Sequence, residues 1–530
     1  MIQGTGSHVG KSVLAAALCR IFYREGYRVA PFKSQNMALN SYVTEDGGEM
    51  GRAQVVQAEA AGIPPHVDMN PILLKPTGQA TSQVIVLGKP IGNLSAREYH
   101  GDWTKNAMSI IMGAWERLAE QYQLVVVEGA GSPAEINLKD TEVVNMRVAA
   151  ATKTPVLLVG DIDKGGVLAS LVGTMELLEP EERDMVAGFI INKFRGDVSL
   201  FQPAVEFLEQ KTGKPVLGVI PYFQGFKVQE EDGQTDLVGQ DRSTGRAGLE
   251  RSMAKVDIAV IRLPHISNFT DFDALGDEPD VTLRYIGKGQ TINQSDLVII
   301  PGSKNTIEDL LYLQQSGLAA ELAALNQQGT PVIGICGGYQ MLGRELRDPL
   351  RTESSIESMA GLGLLDAVTV FEPEKITCQV TAEIRGVDSF LKRISLGRGA
   401  QAAGDWQPMS LTDCRLTGYE IHMGRTELGA DSCSAFQIVT RSGQAVDCAD
   451  GGISSQGLVL GTYMHGIFDN DLFRRNLINA LRVSKGLQPA DTSEGLSVLE
   501  QRERDYDKLA QVVRDNLNMP LLRRIMGLEE

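Results

Sequence analysis

The sequence has no apolar stretch approaching the ~18 residues needed to cross a bilayer, no close pair of cysteines and no surplus of positive charge. Each absence excludes something. Without a long apolar run a membrane-spanning role is not expected. The first residues also lack a basic, then apolar, then small-residue leader, because Gly4 and Gly6 interrupt it at once. The six cysteines (Cys19, Cys336, Cys378, Cys414, Cys433 and Cys448) form no CxxC pair, which argues against a disulfide framework and a zinc site. A reduced, cytoplasmic setting is the simplest expectation. Lys plus Arg number 50 against 67 Asp plus Glu, giving a net charge of -17. A surface that acidic argues against nucleic acid as the main partner, although local basic residues can still line a cleft for an acidic substrate. No internal repeat is visible.

What is present is an ordinary globular composition, 43% hydrophobic over 530 residues. That length is too great for one core, so two to four domains are expected. The first half alternates short apolar runs (27–31, 124–128, 155–161, 186–192, 215–220) with helical patterns (11–25, 50–62, 104–122, 165–178, 200–212). Strands apolar on both faces and separated by helices predict a parallel sheet covered on both sides, an α/β fold. Several runs end in polar residues, Glu128, Asp161 and Asn192, where open α/β sheets bind ligands. Polarity rises from 224 to 254, read as a linker with a short hairpin. A second alternating region follows, with strands at 257–263, 281–286, 296–301 and 331–335, helices at 310–327 and 339–346, and a mixed sheet from runs such as 458–464. The stretch 385–408 reads as a loop, and 471–530 as a docking pair of helices. The predicted domains are 1–225, a linker at 226–254, 255–473, and a helical extension at 474–530.

Gly4-Thr5-Gly6-Ser7-His8-Val9-Gly10-Lys11-Ser12 precedes the first helix. Such a loop offers backbone N–H groups to phosphate, a lysine to the outer phosphates and a hydroxyl to Mg²⁺. It is one residue longer than the standard form. Only Met1–Gln3 precede it, so either the feeding strand is a stub or the true start lies further upstream. Glu128, ending the run Leu124-Val125-Val126-Val127, is a candidate Mg²⁺ ligand; such an acid can also cap the following helix. Asp161 and Asp163 are candidate metal or substrate residues, and Asn192-Lys193 a candidate contact to the base of a nucleotide.

In the rear half, Val332-Ile333-Gly334-Ile335-Cys336-Gly337-Gly338-Tyr339-Gln340 reads as a strand, a sharp turn and a helix with a thiol at the bend. This is the thiol version of a nucleophile elbow. A small apolar residue ending a buried strand is the plainer alternative. A cysteine nucleophile needs a base. His465, following the run Leu458-Val459-Leu460, is the first candidate and His422 its competitor.

The long phosphate loop in front and the cysteine elbow with a distant histidine behind resemble the cobyric acid synthase family. The front half is similar to dethiobiotin synthetase and its relatives, and the rear half to class I glutamine amidotransferases. Pro31–Ser41 (Pro31-Phe32-Lys33-Ser34-Gln35-Asn36-Met37-Ala38-Leu39-Asn40-Ser41), Val127-Glu128-Gly129-Ala130-Gly131-Ser132-Pro133-Ala134-Glu135-Ile136-Asn137-Leu138 and 160–166 carry the likeness. The resemblance implies Cys336 as nucleophile and His465 as base. It implies ATP bound through Gly4, Thr5, Gly10, Lys11, Ser12 and Asn192, and Mg²⁺ held by Ser12 and Glu128. Lys33 and Asp161 are then substrate contacts, glutamine the nitrogen donor and a corrinoid the acceptor. The implied reaction amidates the b, d, e and g carboxylates of adenosylcobyrinic acid a,c-diamide. Many class I domains carry a glutamate two residues beyond the histidine; here Ile467 stands there, so the third member is absent or supplied elsewhere, with Glu420 a loose candidate. Cobyrinic acid a,c-diamide synthase is the nearest rival reading. A partner-binding switch ATPase with an inactive rear domain is the other, but its signature lysine is replaced by Gly6. The sequence neither fixes nor excludes a homo-oligomer.

Overall fold

The computed structural model describes residues 1–78, 81–99, 103–223, 255–397, 414–490 and 497–528. The expected linker and hairpin at 226–254 lie outside them. The chain divides into two compact units. The first comprises Met1–Ala38, Gly48–Gly233 and Leu499–Glu530; the second comprises Leu39–Gly47 and Gln234–Val498.

In the first unit the strands Ile2–Gly4, Val156–Asp161, Val186–Phe194 and Val216–Pro221 pair in parallel in that order. On the other side of Ile2–Gly4, a parallel bridge from Ile2 to Glu128 continues to Leu124–Val127, which pairs with Val29–Phe32. All six run parallel, and the short first strand is central. These strands are the apolar runs of the sequence, and the sheet is buried because helices cover it. The neighbours of the first strand lie on opposite sides of it in the chain's winding order. That is a topological switch point, where the ends of parallel strands open into a crevice. The helix Lys11–Arg24 starts there, with Leu14, Ala15, Leu18, Ile21 and Phe22 facing the core. A four-stranded sheet of Gln35–Met37, Ile72–Gly78, Thr81–Val86 and Lys89–Ser95 is additional and was not foreseen. The helix Val498–Asp515 packs Tyr506, Leu509 and Val513 into the same core as Lys11–Arg24, and buried Arg20 pairs with Glu503 and Asp507 at 2.6 and 2.7 Å.

The second unit holds a seven-stranded mixed sheet. Val281–Ile286, Val256–Ile261, Leu297–Ile300, Val332–Ile335 and Val459–Thr462 are parallel, and Gly452–Ser454 and Ser432–Cys433 are added antiparallel. A second sheet is built on the long strands Ala367–Ile384 and Arg415–Leu428. Four expectations need correction. The docking pair expected at 471–530 is three helices among the described residues, Asp471–Ser484, Val498–Asp515 and Met519–Ile525. The single helix at 310–327 is two, Thr306–Ser316 and Leu318–Gln327, broken at Gly317, whose φ of 84° suits glycine. The helix at 339–346 is Gly337–Leu342, after which Glu345–Arg347 is a strand. The loop at 385–408 contains the helix Val387–Ser395, because Val387, Phe390, Leu391 and Ile394 form an apolar stripe at helical spacing; 398–408 lies outside the described residues.

Candidate active sites

The phosphate loop turns from Ile2–Gly4 into Lys11–Arg24. Gly10 has φ 96°, which a side chain would resist, and a Cβ on Gly4 would lie 2.5 Å from Val9 Cγ2. Lys11 Nζ donates to the carbonyls of Gly6 and Gly131 at 2.9 and 3.2 Å, folding over the loop. Ser12 Oγ donates to Glu128 Oε1 at 2.7 Å, and Lys33 Nζ lies 2.9 Å from the same oxygen, with both charged side chains fully buried. Gln57 Nε2 donates to Glu128 Oε2 at 2.5 Å and Gln54 Nε2 reaches it at 3.5 Å. Burial opposes ionisation of Glu128, but the Lys33 charge and the bonds from Ser12 and Gln57 hold its carboxyl below the ordinary range. Lys11, Ser12, Lys33 and Glu128 are therefore brought together. Gln54 and Gln57 were missed, though both lie on one face of the foreseen second helix.

Asn192 Nδ2 donates to Val9 O at 2.8 Å, and Lys193 Nζ donates to His8 O while lying 3.3 Å from Asp161 Oδ2. Both residues brace the loop from near the end of Val186–Phe194, one strand removed from Ile2–Gly4. Thr5 N–H donates to Val159 O at 2.9 Å. Asp163 pairs with Arg195 at 2.6 Å.

Ser12 Oγ and Glu128 Oε1 are hard oxygen donors side by side. Among the described residues no cluster of three His, Cys, Asp or Glu side chains could hold a metal ion. The fit is to a cation that takes few protein ligands and fills its shell with phosphate and water, as Mg²⁺ does.

In the second unit, Cys336 ends the strand Val332–Ile335 and opens the helix Gly337–Leu342 with φ 52° and ψ −109°. Such a backbone is strained for a residue with a Cβ, and its N–H is held by Thr462 O at 2.8 Å. The two glycines are required by close approach. A Cβ on Gly338 would lie 2.0 Å from Ile300 O, and one on Gly337 2.9 Å from Ser303 N. Cys336 is 7% exposed, with Sγ 3.6 Å from Ile421 O.

His465 follows the strand Val459–Thr462 and is 1% exposed. Its Nδ1 is 2.7 Å from Asp271 Oδ2, while Asp271 Oδ1 accepts Gly466 N–H at 3.1 Å. Nε2 has no hydrogen-bond partner among the described residues besides the Cys336 thiol. Burial works against the charged ring, yet the Asp271 carboxylate and then Cys336 raise its pKa to about 10. Asp271 thus occupies the place of the missing third member. It lies in the short turn Phe269–Phe272, in the segment following the strand Val256–Ile261. The carboxyl end of that strand was the available signal; a separation of 194 residues hid the rest.

His422, the competing base, and Glu420, the loose third-member candidate, have other hydrogen-bond partners. Burial, chiefly, pushes the His422 pKa down to about 3, and its ring stacks on Tyr463 with Nδ1 donating to Gly424 O at 3.1 Å. Glu420 is held by Arg441 at 2.8 and 3.1 Å.

A strained thiol backed by an imidazole and a carboxylate is equipment for attacking an amide, and a phosphate loop on the same chain adds nucleotide chemistry. Together they define a glutamine amidotransferase carrying a nucleotide-binding module. Comparison with known proteins agrees. Residues 257–473 match the CobB/CobQ-like glutamine amidotransferase domain, and residues 1–236 match the CobQ/CobB/MinD/ParA nucleotide binding domain. The cobyric acid synthase of Moorella thermoacetica is 54% identical over 100% of this chain and 97% of its own. That of Pelotomaculum thermopropionicum is 52% identical over 100% and 96%, and that of Sorangium cellulosum 52% over 100% and 98%. The chain belongs to the cobyric acid synthase family.

Proposed function

We propose that this chain uses ATP and the amide nitrogen of glutamine to amidate the b, d, e and g carboxylates of adenosylcobyrinic acid a,c-diamide, giving adenosylcobyric acid in cobalamin biosynthesis. The observation that carries the reading is the Cys336–His465–Asp271 relay, in a chain that also carries the Ser12–Glu128–Lys33 cluster. The proposed division of labour gives acceptor activation to residues 1–225 and ammonia release to 255–473. A cytoplasmic location fits such a biosynthetic role, and among the described residues no helix is long and apolar enough to cross a membrane.

At the rear site the Cys336 thiolate attacks the side-chain carbonyl carbon of glutamine. The oxyanion is accommodated by backbone N–H groups about Gly337 and Gly302; a Cβ on Gly302 would lie 3.3 Å from His465 Cε1, so that backbone flanks the pair. His465, protonated across neutral pH, gives its Nε2 proton to the departing amine, and ammonia leaves with a glutamyl thioester behind. Water, losing a proton to Nε2, then releases glutamate and restores the thiolate. Asp271 holds the imidazole with Nε2 toward sulfur throughout.

At the front site a substrate carboxylate oxygen attacks the γ-phosphorus of ATP, ADP departs, and ammonia displaces phosphate from the acyl phosphate to leave an amide. Lys11 and the loop N–H groups bind phosphate, and Asn192 keeps the loop in shape. Ser12 and Glu128 would hold Mg²⁺, which neutralises phosphate charge. Lys33 balances Glu128, and Asp161, with Lys193, stands at the strand end where substrate would approach.

Replacing Cys336 by alanine tests the division. Glutamine-dependent synthesis is expected to vanish while ammonia-dependent synthesis persists. Loss of both would contradict separate centres.

A further inference from the structure

The segment Leu39–Gly47 belongs to the second unit although the chain on either side of it, through Ala38 and from Gly48, belongs to the first. It follows closely in sequence on Lys33 and Ser34. Within the second unit it seats against the pair of long strands. Val43 is buried with Tyr419 and Ile421, the Tyr42 ring meets that of Tyr419 at 5.2 Å, and Gln379 Nε2 donates to Val43 O.

Its backbone reaches the relay through two side chains, Tyr419 and Asn268. Tyr419 O–H donates to Ser41 O at 3.3 Å. Asn268 spends its two Nδ2 protons on the same pair, one on Ser41 O at 2.9 Å and one on Tyr419 Oη at 2.8 Å. The Tyr419 ring lies parallel to His465, with 5.2 Å between centroids and 15° between planes. The two backbones exchange hydrogen bonds of 2.9 and 3.2 Å. Asn268 has φ 51°, a left-handed conformation asparagine tolerates, and it opens the turn that delivers Asp271. Tyr419 thus covers the face of the imidazole that Asp271 orients from its edge.

We propose that Tyr419 is a positioning residue for the Cys336–His465 pair, and that Leu39–Gly47 holds it in register through the Ser41 carbonyl, so that loosening this segment slows glutamine hydrolysis. This rests on the reading of Cys336 and His465 given above. The stacked ring fixes the rotation of the imidazole, and its phenol is fixed in turn by a carbonyl and an amide. None of the three groups exchanges a proton with the substrate.

The test uses the full chain, with two readouts: glutamine hydrolysis, and the rate of Cys336 alkylation by iodoacetamide as a function of pH, which needs neither glutamine nor acceptor. Tyr419→Leu removes the stack, Tyr419→Phe keeps the stack and removes the phenol, and Asn268→Gly removes the amide while accepting the positive φ. For Tyr419→Leu, kcat for glutamine hydrolysis is expected to fall ~10- to 100-fold with little change in KM, since sub-ångström misplacement of reacting groups costs rates of that size. The pH profile of alkylation should move with it. Tyr419→Phe and Asn268→Gly should each lose ~3- to 10-fold, because each removes two neutral hydrogen bonds that act on the imidazole only through the Tyr419 ring. Tyr42→Ala, which loosens the segment without touching the relay, should behave like Tyr419→Phe. Ammonia-dependent amidation is expected to persist in all four.

An unchanged kcat and alkylation profile in Tyr419→Leu would overturn the proposal. So would parallel loss of glutamine- and ammonia-dependent synthesis, which would mark a merely structural role. Wild-type hydrolysis by Tyr42→Ala would remove the segment from the account. A Cys336→Ala protein that still hydrolysed glutamine would instead overturn the underlying reading.

Discussion

Replacing Asp271 by asparagine removes one charge from the relay and almost no volume. The carboxylate sits 2.7 Å from His465 Nδ1 in a fully buried setting, and it is the first of the groups that raise the imidazole pKa to about 10. From an ordinary 6.5, that displacement corresponds to ~5 kcal/mol in favour of the imidazolium. Burial opposes it, so the charges of Asp271 and Cys336 together supply more than this net figure. Losing one buried hydrogen bond to a charged group costs ~1.5–3 kcal/mol, or roughly 10- to 150-fold in kcat/KM for glutamine. The form of the pH dependence is more telling than the rate. Release of ammonia needs the imidazolium as acid, so the wild-type profile should hold from neutrality until pH approaches 10. In Asp271→Asn the ring's pKa falls from that elevated value, so the decline of kcat/KM with rising pH should begin at a lower pH. Stability changes in the same sense. A folded pKa above the unfolded value stabilises below pH 6.5, and that contribution is lost as pH rises through 10. Glutamate release measured from pH 6 to 10 reads the profile, with ammonia-dependent synthesis as the control for folding. A variant with the wild-type rate and the wild-type profile would refute the assignment of Asp271.

Lys11→Ala should abolish amidation with either nitrogen source, while the rate of iodoacetamide attack on Cys336 stays unchanged; near-normal turnover would remove ATP from the account. His422 is buried and neutral, with its pKa lowered to about 3, so the unfolded chain takes up its proton first as pH falls below 6.5. Stability should therefore drop between pH 6.5 and 3, by up to ~3–5 kcal/mol from this group. His422→Gln should flatten that part of the difference in thermal unfolding between pH 7 and 5; an identical pH dependence would show that His422 is not the group responsible.

Much of the architecture was legible because it rests on patterns within one stretch of chain. The five parallel strands after the first in the front unit are apolar on both faces, which only a covered sheet explains. The loop at Gly4–Ser12 and the turn at Cys336 carry their chemistry in consecutive residues. The sheet from Ile72 to Ser95 escaped notice because its last strand, Lys89–Ser95, is exposed over its first five residues and shows no alternation. Gly317 gave a break that a continuous helical pattern concealed. Asp271, Tyr419 and Ser41 escaped for another reason. Each acts on a residue far away in the chain, and no local pattern distinguishes a carboxylate that meets a histidine from one that caps a turn. The Ser41 contact is hidden further, since the sequence gives no sign that Leu39–Gly47 joins a unit otherwise built from residues beyond 233.

Nitrogen freed at Cys336 should end as amide on a carboxylate activated by ATP. Mass spectrometry of the corrinoid after incubation with adenosylcobyrinic acid a,c-diamide, ATP and glutamine labelled with ¹⁵N in its side-chain amide reads that transfer. The product should bear four additional labelled amides, absent without ATP and absent from Cys336→Ala given glutamine alone. An unaltered corrinoid mass, or amides carrying no label, would contradict it.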